Sequence, residues 1–578
     1  MNELGQQQRS MAKPPHSDSG RQRLRVGLLI DSFVQPRWQR RVIEEIQNSL
    51  FAEVVLVIHN LSNTANVNRS KLARIWRNRN YLLYAGYTRL DEVVFKVKHD
   101  AFEKVNIADL IEECAVIDLQ PVMKKHSDYF SEEDVQKIRS YHLDVALRFG
   151  FRILRGDALN IAKHGVWSYH HGDGTVNRGG PPGFWEVMQG HLLTGSMLQK
   201  LTEELDNGKV LYRSWSSTSE KFSVRRNKNN YYWKSSVFVH RKLRELSESD
   251  GCGLLDDDAF NAAFSPYHQR LYKKPTNREM LPLLAKLTGR AAKKVLHDSL
   301  YLDQWCLAFR FNSEAENSDP LYRFKYLVPP KDRFWADPFP LKNGNRHFVF
   351  FEDYIYSKAK AHISAVELDK SGAVGEPFKV LERKYHLSYP FVFDWQGSHY
   401  MIPETGANRS IELYRCLSFP SEWNLETVLM DGVRAVDATL AEIDGTWWMF
   451  VNIASEEVSY NYDELYLFHS ETPMGPWTPH RRNPVKSDAR SARPAGRLFQ
   501  WKGELYRPAQ DCSKHYGYGI SFNRILRLTP QEYSEEEVSK ILPRWNRDVV
   551  ATHTFNRCDG LTVIDCKRTR RKFLSRSG

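Results

Sequence analysis

The sequence predicts two folded parts: an α/β N-terminal domain with a mostly parallel sheet, then an all-β C-terminal five-bladed propeller. Three observations carry this. Strand-length apolar runs alternate with helical patterns in the first part of the chain. Beyond about Leu307 helical periodicity largely stops, and short aromatic and β-branched runs alternate with Gly, Pro and Asp turns. A weak repeat then recurs: FWADPF from Phe334, SYPFVF from Ser388, AVDATL from Ala435, ARPAGRLF from Ala492 and NRCDGL from Asn556. Its starts are spaced by roughly 45–65 residues, close to one four-stranded blade. A β-sandwich with chance similarity is the plainer alternative.

Taken in order, Leu24–Ile30 (LRVGLLI) is a buried-type strand. Trp38–Leu50 follows with Val42, Ile43, Ile46 and Leu50 on one helical face. Ala52–His59 and Ala115–Leu119 are further strands. Ser131–Ser140 reads as a helix with Ser131 as N-cap and Asp134 three residues on. Asp144–Arg148 and Gly165–Tyr169 are strands, the second followed by a Gly- and Pro-rich loop at Gly172–Gly183. A short helix follows over Phe184–Gln189. Gly195–Leu201 and Lys209–Trp215 are strands around a turn at Asp206–Gly208, and Phe222–Lys294 is helical and charged. Gln304–Phe311 is a strand able to close the ring with the last one. The expected domains are a disordered tail over 1–23, a catalytic domain over 24–215, a helical connector over 216–300 and the propeller over 301–578.

A chain of 578 residues is too long for one ordinary core, and 41% hydrophobic residues supply material for two or three. No apolar run reaches 18 residues, so no membrane-spanning helix is expected. The net charge of +12 is partly terminal, with KRTRRK at Lys567–Lys572 and Arg21, Arg23 and Arg25 near the start. A solvated basic surface accounts for it; attraction to anions is the sharper reading. No helix-turn-helix, zinc-finger or RNA-recognition pattern is present, so no nucleic-acid partner is expected. The seven cysteines are scattered, with no CxxC pair. That argues against a disulfide framework and a structural zinc site, and fits a reducing cytoplasm. The polar first twenty residues lack a signal-peptide core.

The strongest motif runs from Gly165 to Tyr212: GVWSYHHGDGTVNRGGPPGFWEVMQG, then LTEELDNGKVLY. His170 ends a strand, Arg178, Gly179 and Pro182 lie in the loop after it, and Asp206-Asn207-Gly208 forms a later turn. In order and spacing this resembles the formyltransferase family, over roughly residues 24–215. The resemblance implies formyl transfer from 10-formyltetrahydrofolate to an amine, with His170 and Asp206 as the catalytic pair. It also implies a folate pocket lined by Arg148, Phe149, Gly150, Phe151 and Leu154. The chemistry suits these residue types: a histidine can take the attacking amine's proton, and a carboxylate can orient the imidazole. Arg178 either contacts a phosphate on the acceptor or braces the loop. The sequence departs from the family at Ser168, where the family has an asparagine that donates to the oxyanion. Losing one such donor costs on the order of 2.7–4 kcal/mol of transition-state stabilisation. A rearranged active site, a different reaction and an inactive scaffold all remain open. His171 is either structural or supports His170 from behind.

The second half resembles five-bladed propellers of glycoside hydrolases and the N-terminal region of plant glucosamine inositolphosphorylceramide transferases. Glycosidic cleavage needs two carboxylates. Asp337 and Asp437 sit at matching repeat starts, Arg493 stands where a third carboxylate is expected, and Glu404 and Glu352-Asp353 are possible substitutes. Carbohydrate binding is favoured over hydrolysis. Trp335, Tyr389, Trp447 and Trp448 are read as packing between blades before stacking on sugars. The expected acceptor is a small-molecule or glycan amine, and no metal is expected.

Overall fold

The computed structural model describes residues 22–62, 78–174, 176, 178–203, 208–249, 270–311, 320–454 and 462–572. Its N-terminal sheet contains β1 (Leu24–Ile30), β2 (Ala52–Asn60), β3 (Ala115–Leu119), β4 (Val145–Arg148), β5 (Val166–His170), β6 (Leu193–Lys200) and β7 (Lys209–Ser217). The spatial order is β7-β6-β5-β4-β1-β2-β3. The five strands β1 to β5 pair in parallel, and β6 and β7 continue the sheet antiparallel. The middle strands are apolar without alternation because helices cover both faces. The chain moves outward from β1 to β2 and β3, then returns to β4 on β1's other side. The carboxyl ends of β1 and β4 therefore flank a switch point, where open α/β sheets hold ligands.

Helix α1 (Arg37–Gln47) buries Trp38, Val42, Ile43 and Ile46, each at about 1.5–3 kcal/mol for full burial. It caps at Asn48, so Leu50 falls out of phase with the apolar face expected of it and is 69% exposed. Helix α2 spans Leu82–Val94, and α3 spans Glu132–Arg139. As the sequence predicts, Ser131 caps α3 by accepting from the Asp134 backbone N–H at 3.1 Å. Helix α4 is Phe184–Gln189. Helices α5 (Val224–Ser235) and α6 (Phe238–Glu248) differ from the expected connector. Tyr231, Tyr232, Trp233, Phe238, Val239, Leu243 and Leu246 join the first core beside Val26, Leu28 and Trp167. Helix α7 (Asn277–Leu300) starts from a Thr276–Glu279 capping box and leads directly into β8 (Tyr301–Phe311).

The second half folds as five antiparallel sheets. In the closing sheet β8 pairs along its length with Leu561–Arg571, Tyr301 opposite Arg571 and Phe311 opposite Leu561. Four sheets intervene, each ordered as in sequence. The second runs from Arg333 to Leu381, the third from Ser388 to Asp431, the fourth from Ala435 to Pro479 and the fifth from Phe499 to Ile541. The first strands of the second, third and fourth carry the same irregularity. Register shifts between Ala336 and Phe339, Ser388 and Phe391, and Val436 and Thr439. Each bulge holds a non-glycine residue at positive φ: Asp337 at 52°, Tyr389 at 42° and Asp437 at 56°. Such strain persists where surrounding contacts over-determine it, and bulges re-aim side chains. The fifth repeat is shifted from its expected start at Asn556. The residues equivalent in contact are His553 and Thr554, just ahead of the strand Phe555–Cys558 that holds Asn556.

The two halves meet through buried charges. Lys234 of α5 pairs with Asp463 at 2.8 Å, both under a tenth exposed. Arg241 of α6 holds Glu464 bidentately at 2.7 and 2.9 Å, with the Tyr212 and Tyr466 hydroxyls at 3.0 and 3.1 Å. Strand β7 adds Ala489 N donating to Trp215 O at 2.9 Å and Ser217 Oγ donating to Ser513 O at 3.1 Å. Removing one partner of a buried pair leaves an uncompensated charge, at about 3–5 kcal/mol. Lys234→Ala is expected to lower unfolding free energy by that amount in urea titrations. A loss under about 1 kcal/mol would mean that Asp463 finds water at the junction.

Candidate functional site

His170 ends β5, beside the switch point. Alternation along β5 sends Trp167 and Tyr169 into the core with Trp38, and places Ser168 and His170 on the other face. Register sets their neighbours. Ser168 lies opposite Arg148 on β4 and Gln199 on β6; His170 lies opposite Met197, which lies opposite Arg213 on β7. One face thus presents Arg148, Ser168 and Gln199 in one row and His170, Met197 and Arg213 in the next. Ser168 is buried, its hydroxyl 3.4 Å from Tyr169 O. Gln199, also buried, is an amide that motif reading missed, since only strand register brings it to Ser168. His171 stacks on Tyr232 at 3.6 Å between centroids, with Nε2 3.0 Å from Ser235 Oγ. Burial, then the neighbouring His170 and Lys228, hold its pKa well below the usual imidazole range. Its role is structural.

The loop after β4 folds over the end of β1. Phe149 N and Gly150 N donate to Leu29 O, and Phe151 N donates to Asp31 Oδ1 at 2.8 Å. A Cβ on Gly150 would lie 2.4 Å from Asp31 N, so only glycine fits there. The aromatic side chains expected to line a pocket are committed elsewhere. Phe149 stacks with Tyr169, and Phe151 and Leu154 are in the core with Phe130. Arg148, whose Nη1 donates to Arg152 O at 3.0 Å, stands in the row with Ser168. In the next loop, Arg178 Nε donates to Gly174 O at 2.9 Å, and Arg178–Gly179 pairs with Leu271–Tyr272. Arg178 is thus a loop brace, and Pro182 lies partly exposed ahead of α4. Asp206 lies outside the described residues.

In the second half the repeat starts converge. Tyr389 N donates to Asp337 Oδ2 at 3.3 Å, and the Tyr389 hydroxyl meets Thr439 Oγ1 at 2.8 Å and accepts from Gly496 N at 2.7 Å. Arg493 Nε binds Asp437 Oδ2, and Arg493 Nη2 reaches Glu404 at 3.6 Å. Gln510 Nε2 donates to Asp437 at 2.9 Å. Arg497 N donates to Asn556 Oδ1, Asn556 Nδ2 to Pro338 O, and Thr554 Oγ1 to Asp337 Oδ1. These bonds link all five sheets in a closed ring. Asp337, Asp437, Glu404 and Arg493 come together as expected. His553 and Asp565, absent from the sequence reading, complete the group: His553 lies 2.5 Å from Asp565 and 3.4 Å from Asp337. Ligand-type atoms of Asp337, His553 and Asp565 all lie within 4.8 Å of one another. No local spacing announces them, because ring closure brings them from near the end of the second half onto Asp337 near its start. Trp335, Tyr389, Trp447 and Trp448 pack in cores.

Burial governs the electrostatics here. It raises Asp337 to about 6, Asp437 adding to the effect and His553 opposing it. It raises Glu404 to about 8, Asp437 adding and Arg493 opposing. Glu352, beside His386 at 3.3 Å, is pushed well above the carboxylate range by burial and by Asp337 and Glu404. Burial disfavours the His553 imidazolium, but Asp565 and Asp337 outweigh it and raise its pKa.

Residues 328–559 match the family described as glucosamine inositolphosphorylceramide transferase 1, N-terminal. The rice (Oryza sativa subsp. japonica) glucosamine inositolphosphorylceramide transferase 1 is 39% identical over 223 residues, covering 37% of this chain and 30% of the relative. The chain thus spans about a third of the curated relatives it matches first. Methionyl-tRNA formyltransferase of Prochlorococcus marinus is 35% identical over 82 residues, covering 14% of this chain and 24% of that protein. Among solved structures, the family 117 glycoside hydrolase Zg3597 of Zobellia galactanivorans matches with a TM-score of 0.30 at 13% identity, over 46% of this chain and 90% of that one.

Glu404 gives a pH test. Below about pH 4.5 the folded and unfolded chains both hold its proton. From there to about pH 8 the unfolded chain releases a proton that the folded chain keeps, so stability falls by a few kcal/mol and then levels. Glu404→Gln removes this slope. Its stability relative to wild type, from denaturant melts at successive pH values, is expected to rise between pH 5 and 8. A constant difference would place Glu404 in contact with water.

Proposed function

We propose that this chain is a one-carbon acyl transferase that formylates an amine on a sugar or glycoconjugate. The five sheets form a five-bladed propeller that binds the glycan. The carrying observation is the shared face of Ser168 and His170 at the carboxyl end of β5, beside the switch point. That is where the formyltransferase resemblance puts a proton-moving histidine, and the short match to a methionyl-tRNA formyltransferase supports the same assignment. In this reading 10-formyltetrahydrofolate brings the formyl group, and Arg148, in the row with Ser168, faces it. The acceptor amine attacks the formyl carbon while His170 takes its proton; collapse of the tetrahedral intermediate breaks the bond to the folate N10, which receives that proton from His170 and leaves as tetrahydrofolate. Ser168 and the Gln199 amide are the donors available to the oxyanion.

The ring in the second half supports binding over hydrolysis. Arg493 neutralises Asp437, and both Asp337 oxygens are hydrogen-bonded internally. A hydrolytic pair would need one carboxylate free for water or for the sugar. The relatives' name, glucosamine inositolphosphorylceramide transferase, favours an amino-sugar glycoconjugate, and the family match is to an N-terminal region.

The test is turnover of 10-formyltetrahydrofolate with amino-sugar acceptors, following formylated product by mass spectrometry. Wild type is expected to form product, and His170→Ala to lose on the order of 10²–10⁴-fold. Equal turnover by His170→Ala, or no product with any amine, would overturn the reading.

A further inference from the structure

The junction contains cations of two kinds. Four are neutralised: Lys234 by Asp463, Arg241 by Glu464, Arg490 by Asp488 at 2.6 Å, and Arg493 by Asp437. Three have no carboxylate partner among the described residues: Arg213, Lys221 and Lys514. Arg213 sits 5.5 Å over the Trp215 ring, with its Nε buried and without an acceptor. Lys221 is half-buried, with Lys514 and Arg290 as charged neighbours. Lys514 is exposed, its ammonium 4.6 Å from the Tyr518 ring.

These three cations follow one line. Arg213, Trp215 and Ser217 alternate onto the same face of β7. Ser217 bonds Ser513, next to Lys514, and Lys221 follows four residues later. The line begins beside His170, because His170, Met197 and Arg213 are opposed across β5, β6 and β7. Two strand spacings separate the His170 and Arg213 backbones by about 10 Å. It runs toward the second half, where Tyr516 touches Arg493 at 3.4 Å. Trp215 fixes the middle: its indole donates to Asp173, three residues past His170, at 2.9 Å, and its ring lies 4.9 Å from Arg490.

Arg213 and Lys221 are partly buried, and the exposed Lys514 adds its charge beside Lys221; a bound anion would supply the counter-charge that all three lack among the described residues. We propose that Arg213, Lys221 and Lys514 bind acidic groups on the acceptor, making it an acidic glycan that carries phosphate or uronate. This rests on the reading of His170 as the acyl-transfer end of the cleft. The amine lies at His170, with the first acidic group about 10 Å away and others farther along β7. Guanidinium and ammonium groups suit phosphate and carboxylate alike.

The full-length protein at low ionic strength is titrated calorimetrically with N-acetylglucosamine, N-acetylglucosamine 6-phosphate and glucuronate. The phosphorylated sugar is expected to bind at least tenfold tighter than the neutral one, and to weaken as salt rises. Glucuronate binding comparably widens the site to carboxylates; binding only of the phosphorylated sugar narrows it to phosphate. Arg213→Ala and Lys221→Ala/Lys514→Ala are each expected to cut phosphate-sugar affinity about tenfold without changing neutral-sugar binding. Arg213→Lys should restore part of it, and all variants should melt at or above the wild-type temperature. Equal binding of neutral and acidic sugars, or wild-type affinity in both variants, would overturn the proposal. Acidic-sugar binding without formyl transfer to any amine would refute the catalytic reading and leave this site standing. Transfer to neutral amino sugars without acidic-sugar binding would do the reverse.

Discussion

Everything in the second half depends on a ring of hydrogen bonds among residues that no single sheet could hold. Asp337, Tyr389 and Asp437 adopt left-handed backbone conformations that side chains disfavour. Each is held by partners from neighbouring sheets: Thr554 and Tyr389 on Asp337, Thr439 and Gly496 on Tyr389, Arg493 and Gln510 on Asp437. The bulges turn these side chains inward, and the inward side chains justify the bulges. The ring is also dense in acids, with Asp337, Glu352, Glu404, Asp437 and Asp565 all largely buried around Arg493 and His553. Raised carboxyl pKa values are the direct result.

The first half is organised by register. Parallel pairing of β1, β4 and β5 brings their carboxyl ends together, and antiparallel β6 and β7 extend the His170 row to Arg213. Because β7 also carries Trp215 and Ser217, the strand that sets one wall of the His170 face is docked against the fourth and fifth sheets. The buried Lys234–Asp463 and Arg241–Glu464 pairs keep that docking specific, since any other arrangement would leave these charges dry and unpaired.

Much of this was legible in sequence. Continuous apolar runs gave the parallel strands, and Ser131 with Asp134 gave a capped helix. The loss of helical period after Leu307 marks the all-β half, and the five repeat starts match its five sheets. Helices α5 and α6 read as a connector because RRNKNN is charged and weakly amphipathic; their aromatic turns fill the core only once β6 and β7 are placed. The formyltransferase resemblance implies Phe149 and Phe151 as pocket lining, but this loop folds onto β1 and its rings go inward. His553 and Asp565 escape the motif reading because their partner Asp337 lies more than two hundred residues away, and the last repeat start at Asn556 falls just past His553 and Thr554. Arg213 carries no motif at all; strand register alone puts it beside His170.

The pairing of Tyr301–Phe311 with Leu561–Arg571 has a consequence for biosynthesis. Strand β8 emerges from the ribosome ahead of the four intervening sheets, yet its partner is translated only after all four. During that interval β8 presents the exposed edge of an apolar strand, with Cys306 awaiting the Cys566 thiol that packs 3.4 Å from it. Contacts of such sequence separation form slowly, and open edges invite pairing between nascent chains. The chain's most vulnerable period is thus the time between synthesis of its two closing strands.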